Sequence, residues 1–106
     1  MGTYAPLGGQ EAVGTAIGLN LEAQDIFIPY YRDYATLYQR GTKLSNILQY
    51  WGGDERGSLY STPNNQDFPL CVPIASQCQH AVGVAYALKY AKSKQIALVT
   101  IGDGGT

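Results

Sequence analysis

The sequence predicts an α/β fold, a parallel sheet flanked by helices, of which this stretch is mostly helical with one buried strand at its C-terminal end. Three observations predict it. Ile96-Ala97-Leu98-Val99-Thr100-Ile101 is rich in β-branched residues and shows little alternation, the pattern of a strand covered on both faces. Ser76 to Lys92, just ahead of it, is alanine-rich with a helical period. A glycine-rich turn, Gly102-Asp103-Gly104-Gly105-Thr106, follows the strand. Helix, buried strand and glycine turn in that order make half of an open α/β unit. With 106 residues the chain is one small domain or part of a larger one.

The elements follow in chain order. Gly8-Gly9 punctuates the start, and Gln10 to Leu19 reads as a small-residue helix. Gly14 and Gly18, four apart, allow a neighbour to pack closely on it. Asp25 leads into the extended run Ile26-Phe27-Ile28, stopped by Pro29. Asp33 is placed to cap a helix over Tyr34 to Arg40, which Gly41 closes. Thr42 is placed to cap Lys43 to Trp51, where Leu44, Ile47, Leu48 and Trp51 recur at helical spacing. Residues 52–69, with the polar Asn64-Asn65-Gln66, form a long irregular connection of the kind that is usually functional or partner-bound. In the helix over Ser76 to Lys92, Val82, Ala85, Tyr86 and Leu88-Lys89 supply an apolar stripe and Gly83 permits close packing. Ser93-Lys94 breaks it, and the strand runs from Gln95 to Ile101.

Charge and composition exclude some partners. Hydrophobic residues make up 45% of the chain and charged residues only 14%, against about a quarter in a free-standing domain. Such a surface fits a chain that rests against further protein. The net charge is −1 and the seven basic residues are dispersed, so there is no electrostatic footprint for nucleic acid. No apolar run approaches the roughly 18 residues that cross a bilayer. The start, Met1-Gly2-Thr3-Tyr4, has neither the basic residues nor the apolar core of a targeting peptide. Cys71 and Cys78 do not form a CxxC pair. With His80 they would supply three of the four ligands a zinc ion takes, and the plainer reading is two buried thiols in a reducing compartment.

The chemistry concentrates in the terminal turn. Glycines beyond the carboxyl end of a buried strand let backbone amides approach a phosphate. Asp103 cannot contact phosphate directly, because like charges repel, but it suits a hard cation that bridges to phosphate oxygens. Gly-Asp-Gly thus points to a diphosphate-plus-magnesium site, although the same tripeptide is also ordinary turn chemistry.

Four further stretches settle the comparison. They are Gly8-Gly9-Gln10-Glu11-Ala12, Ile28-Pro29-Tyr30-Tyr31-Arg32-Asp33, Trp51-Gly52-Gly53-Asp54-Glu55-Arg56-Gly57, and Pro73-Ile74-Ala75-Ser76-Gln77 with His80-Ala81-Val82-Gly83 behind it. Together with the Gly-Asp-Gly turn, and in this order, they resemble the alpha subunit of the thiamine-diphosphate-dependent E1 component of 2-oxo acid dehydrogenases, of pyruvate or branched-chain type. The resemblance covers essentially all of residues 1–106 and implies a partial thiamine-diphosphate-binding domain. It implies that Tyr31 and Arg32 reach the cofactor diphosphate, a role an arginine after an extended segment can fill. It implies that Val72 and Ile74 contact the aminopyrimidine, with Ile74 an apolar wedge beneath the bent cofactor. Asp103 matches a magnesium ligand, and Gly104 and Gly105 match the backbone that accepts the diphosphate. Ser76 and Gln77 match positions that bind a structural monovalent cation in some members, but Cys71 stands where those members carry serine. No residue here matches a catalytic one. His80, in the first turns of a helix, reads as structural, and Glu11 as a first-turn acid matching the helix dipole.

The resemblance also implies what lies elsewhere. The family's subunit is several times longer, with a leading segment, a downstream asparagine that completes the magnesium site and a catalytic histidine loop. The carboxylate that activates the thiamine ring belongs to a beta subunit. The expected function is oxidative decarboxylation of a 2-oxo acid, pyruvate foremost, with acyl transfer to lipoyl-bearing E2. The expected partners are E1 beta in an α2β2 assembly and E2. The alternative is a truncated, non-catalytic remnant that at most binds a partner subunit. A transketolase-like enzyme is disfavoured by the stretches at 28–33 and 51–57. A bacterial cytoplasm is the expected setting, or a mitochondrial matrix in a eukaryote.

Overall fold

A computed structural model describes residues 2–60 and 66–106, so Asn64 and Asn65 of the expected connection lie outside the described residues. Its elements run α1 (Glu11–Asn20), β1 (Ile26–Ile28), α2 (Tyr34–Gln39), α3 (Leu44–Trp51), α4 (Ser76–Tyr90) and β2 (Ala97–Val99), with short 3₁₀ turns at Glu55–Ser58 and Asp103–Gly105. β1 and β2 pair in parallel, Phe27 opposite Leu98. A third extended segment borders β1 on its other side. There Phe68 donates its amide to Phe27 O at 2.9 Å, and Tyr30 bridges to Cys71 in parallel. β1 is therefore central, which explains why Phe27 and Ile28 are fully buried. The core gathers Phe27, Tyr34, Leu37, Ile47 and Leu70, with Leu7, Trp51 and Leu98 packed at its margin.

Helix packing follows the glycines. α1 lies on α2 so closely that a Cβ at Gly18 would stand 2.5 Å from Gln39 Cβ, and one at Gly14 3.0 Å from Ala35 Cβ. The approach lets the Thr36 hydroxyl donate to Gly14 O at 2.9 Å. α2 closes at Gly41, whose φ of +99° admits the paired bonds Thr42 N–H to Leu37 O and Gly41 N–H to Tyr38 O.

Six expectations need correction. Asp33 precedes α2 as expected, but its side chain caps nothing in the helix and is spent elsewhere. Thr42 is buried one residue early; Lys43 occupies the cap position of α3, again with no side-chain cap bond. The apolar stripe of α4 is rotated. Val82 and Tyr86 point to solvent, 70% and 71% exposed, while Gln77, Ala81, Val84 and Leu88 form the covered face that looks toward the sheet. α4 then stops at Tyr90 because Lys92 turns left-handed, φ +52°, letting Ser93 N–H reach Leu88 O. β2 itself is half-buried rather than fully buried. Cys71 and Cys78 are likewise half-buried, and both are free thiols.

One side chain braces the whole arrangement. Arg40, at the end of α2, donates Nε to Asp67 at 2.6 Å, Nη2 to Asp25 O at 2.7 Å and Nη1 to Glu22 O at 3.1 Å. Asp67 in turn accepts the Phe27 amide at 3.0 Å. The Arg40 and Asp67 side chains are 4% and 0% exposed, so the pair is internal. Removing one partner of such a pair leaves an uncompensated buried charge.

Two outcomes are expected. Arg40→Ala lowers unfolding free energy by about 3–5 kcal/mol in urea denaturation; a loss below about 1 kcal/mol would be that of a solvent-exposed pair. The chain alone self-associates in sedimentation, because Val82, Tyr86, Tyr90 and Ile96 are exposed. Lysine at positions 86 and 90 shifts it toward monomer. A wild-type chain that stays monomeric and melts cooperatively would contradict this.

Candidate functional site

Parallel pairing puts the exits of both strands on one edge, where open α/β folds bind ligands. Beyond Ile28 the buried Pro29 ends β1, and Tyr30 to Asp33 make a tight turn in which the Asp33 amide donates to Tyr30 O at 3.2 Å. Tyr31 and Arg32 are the two central residues of that turn. Beyond Val99, Thr100 and Ile101 lead to the 3₁₀ turn Asp103–Gly105. The two exits are joined. One oxygen of Asp33, Oδ2, accepts the Tyr30 amide at 2.9 Å and the hydroxyl of Thr100. Gln77 of α4 adds a second tie, donating Nε2 to Thr100 O at 2.8 Å.

A cleft of about 150 Å³ opens at this junction, lined by Tyr31, Ile74 and Ala75 on one side and by Asp103, Gly104 and Gly105 on the other. A second hollow of about 320 Å³ shares Tyr30, Gly102 and Asp103 with it and carries Arg32, Asp33 and Gln10. Asp103 therefore stands between the two. Ile74, 65% exposed, presents an apolar surface to the first cleft. Ala75 beside it is left-handed, φ +63°, a strained conformation for a residue with a Cβ and one that accumulates at binding sites.

The groups present suit an anion held through a divalent cation. The Arg32 guanidinium lies over the Tyr31 ring, 4.8 Å from its centroid, and its Nη1 is buried without a hydrogen-bond partner. A buried cationic N–H calls for an acceptor that the described residues do not supply. Among the described residues no three His, Cys, Asp or Glu gather as a metal cluster, and Asp103 is an exposed carboxylate that lines both hollows. Gly105 donates to Gly102 O and Thr106 to Asp103 O, which leaves the Gly104 amide outside the turn's own bonds. A Cβ at Gly105 would meet Ile101 at 2.9 Å and Ile74 at 3.2 Å, whereas one at Gly104 would meet nothing within 4 Å. A side chain at Gly105 would thus press on Ile101 and Ile74, while Gly104 leaves room for a ligand.

The structure brings Tyr31, Ile74, Asp103, Gly104 and Gly105 to one cleft and Arg32 to the adjoining hollow. Val72 is not among the residues that line either; it is half exposed on the segment before Pro73. His80 stacks loosely on Phe68, with ring centroids 6.0 Å apart, away from the cleft. Sequence reasoning missed Asp33 and Gln77 as members of this edge. Gln77 is 2% exposed and its Oε1 lacks a partner, and no local pattern marks either residue for partners 67 and 23 positions away. Burial pushes the Asp33 carboxyl up to about 6, against the lowering effect of its bonds from Thr100 and Tyr30. Burial, with Asp33 nearby, also raises the Tyr30 hydroxyl, which donates to Gln10 Oε1.

Comparison with known proteins adds an independent finding. A family profile described as dehydrogenase E1 component matches residues 1–106. The pyruvate dehydrogenase E1 component subunit alpha of Acholeplasma laidlawii is 43% identical over 104 residues, covering 98% of this chain and 30% of the relative. The protein of the same description from Mycoplasma pneumoniae is 38% identical, covering 97% of this chain and 28% of its own length. That from Staphylococcus aureus is 34% identical over 106 residues, again 28% of its length. The chain thus spans less than a third of these curated relatives.

The raised carboxyl of Asp33 yields a signed prediction. Its folded value, about 6, lies above the ordinary 3.8, so the folded state binds the extra proton and stability falls as pH rises from about 4 to 6. Asp33→Asn removes that dependence. The variant matches wild type near pH 4 and exceeds it above pH 6 by on the order of 2–3 kcal/mol in denaturant titrations at both pH values. A variant less stable than wild type at pH 7 would contradict the assignment.

Proposed function

The chain belongs to the dehydrogenase E1 component family, and from that premise we propose that it forms the diphosphate- and magnesium-binding part of an E1 alpha subunit. The whole subunit would oxidatively decarboxylate a 2-oxo acid, pyruvate in the first place, and pass the acyl group to lipoyl-bearing E2. Because the chain spans under a third of its relatives, that activity, the substrate, thiamine diphosphate, magnesium, the E1 beta subunit of an α2β2 assembly and E2 all belong to the proposal. The bacterial sources of the relatives support a bacterial cytoplasm as its setting.

The observation that carries the reading is the single edge onto which the parallel strands deliver Tyr31, Arg32, Ile74, Asp103 and Gly104. When bound, thiamine diphosphate supplies the nucleophilic carbon and the electron sink for decarboxylation. The residues of this chain place and neutralise it. Asp103 would hold a magnesium ion, whose charge would offset that of the diphosphate. Arg32, its Nη1 unpaired, supplies a charged donor to the diphosphate, and the Tyr31 ring orients the guanidinium from below. A Cβ at Gly104 would meet nothing within 4 Å, so a phosphate oxygen has room to approach its backbone. Ile74 offers an apolar support for the pyrimidine ring, with Val72 at the periphery. No side chain among these is poised to move a proton, and proton transfer is left to groups outside the chain.

A second reading, a remnant that binds a partner subunit without turnover, draws support from the exposed Val82, Tyr86 and Tyr90 of α4. Calorimetric titration with thiamine diphosphate and magnesium separates the two. The first reading expects saturable binding that Asp103→Ala weakens by more than about ten-fold. Absence of binding, or an affinity indifferent to Asp103, would favour the remnant.

A further inference from the structure

Asp33 is a buried carboxylate, 6% exposed, for which neither the resemblance nor the proposed chemistry has a use. Its contacts are specific. Its amide closes the turn whose tip is Tyr31-Arg32, its Oδ2 accepts the Tyr30 amide of the same turn, and that same oxygen takes the Thr100 hydroxyl three residues before Asp103. Thr100 is held from its other side by Gln77 through its carbonyl. A single carboxylate therefore cinches the limb that carries the guanidinium and ties it to the limb that carries the metal acid. Among the described residues no other side chain bonds directly to both limbs. β1 and β2 are three residues each, and their ladder ends at Ile28 and Val99, before either functional limb begins.

The fold does not need a charge here. Among the described residues no cation pairs with Asp33, its side-chain partners are an amide and a hydroxyl, and desolvation works against the ionised form. A buried acceptor that ties two ligand-bearing limbs together, with no charge required of it, is the pattern of a group that positions a site.

We infer that Asp33 is a positioning residue, resting on the function proposed above. It sets the spacing between Arg32 and Asp103, so that one diphosphate can meet the guanidinium and the magnesium ion at once. Its loss lets the limbs separate. Each can then still touch phosphate, but the two contacts no longer reinforce one another.

The test uses the full native polypeptide, with thiamine diphosphate titrated calorimetrically in the presence and absence of magnesium, well below each variant's melting temperature. Asp33→Ala weakens binding in magnesium by about ten-fold or more, the loss expected when a pair of buried hydrogen bonds is removed. It also lowers the ratio of the dissociation constants measured without and with magnesium, a quantity that a general loss of stability does not change. Asp33→Asn keeps an acceptor oxygen and restores both values to within about three-fold of wild type, less than one hydrogen bond to a charged group contributes. Thr100→Val cuts the bridge from the other limb and reproduces the alanine result if Asp33→Ala fails to fold. An unchanged magnesium ratio in folded Asp33→Ala or Thr100→Val overturns the inference while leaving the proposed function standing. A wild-type polypeptide that binds no thiamine diphosphate, or binds it identically after Asp103→Ala, overturns the function and this inference with it.

Discussion

Two parallel strands of three residues each cannot hold themselves, and the structure rests on the way their ladder is closed at both ends by a buried carboxylate. At the entry, Asp25 accepts the Glu22 amide at 2.9 Å and, across the strands, the Ile96 amide at 3.0 Å. At the exit, Asp33 accepts the Tyr30 amide and, across the strands, the Thr100 hydroxyl. Short strands contribute few ladder bonds, and isolated pairs of them are marginal in water. Here the side chains finish what the backbone begins. Arg40 carries the entry clamp outward, joining the carbonyl of Asp25 to Asp67 and so to the extended segment on the far side of β1.

That construction explains why the candidate site lies where it does. The entry clamp is backed by a guanidinium and sealed. The exit clamp has no cation behind it and opens onto two hollows on either side of Asp103. Electrostatic need is left over at that edge: an unpaired Arg32 nitrogen, an exposed Asp103 and a glycine turn with an amide to spare. The diphosphate and cation proposed for this edge would answer all three, the phosphate meeting the arginine and the amide and the metal meeting the acid. The rigid part of the molecule, Phe27, Leu37 and Ile47 at its core, lies behind this edge and fixes it.

Much of this was legible in the residues. Ile26-Phe27-Ile28 before a proline is the observed β1, and Gly14 and Gly18 mark the observed contact of α1 with α2 because only hydrogen fits there. Gly41 closes α2 as its sequence suggests, and the resemblance-bearing residues Tyr31, Ile74, Asp103 and Gly104 line one cleft. The rest depended on partners distant in sequence. Asp33 is an ordinary helix-cap residue by local rules, and only Thr100, 67 residues on, shows what it does instead. Arg40 looked like the end of a helix, while its partners come from 15 to 27 residues away. The face of α4 was misjudged because periodicity rewards apolar residues. The inward face contains Gln77, a polar residue whose Nε2 donates to the Thr100 carbonyl just beyond β2, and the outward face keeps Val82 and Tyr86.

The central claim is that the turn at 30–33 and the turn at 102–106 form one ligand site across the ends of two strands. Hydrogen exchange of backbone amides tests it most directly, comparing the native polypeptide with and without thiamine diphosphate and magnesium. The account predicts that both turns gain protection together, at the same cofactor concentration, while the 3₁₀ turn at Glu55–Ser58 does not change. Protection of one turn without the other, or of neither, would contradict it.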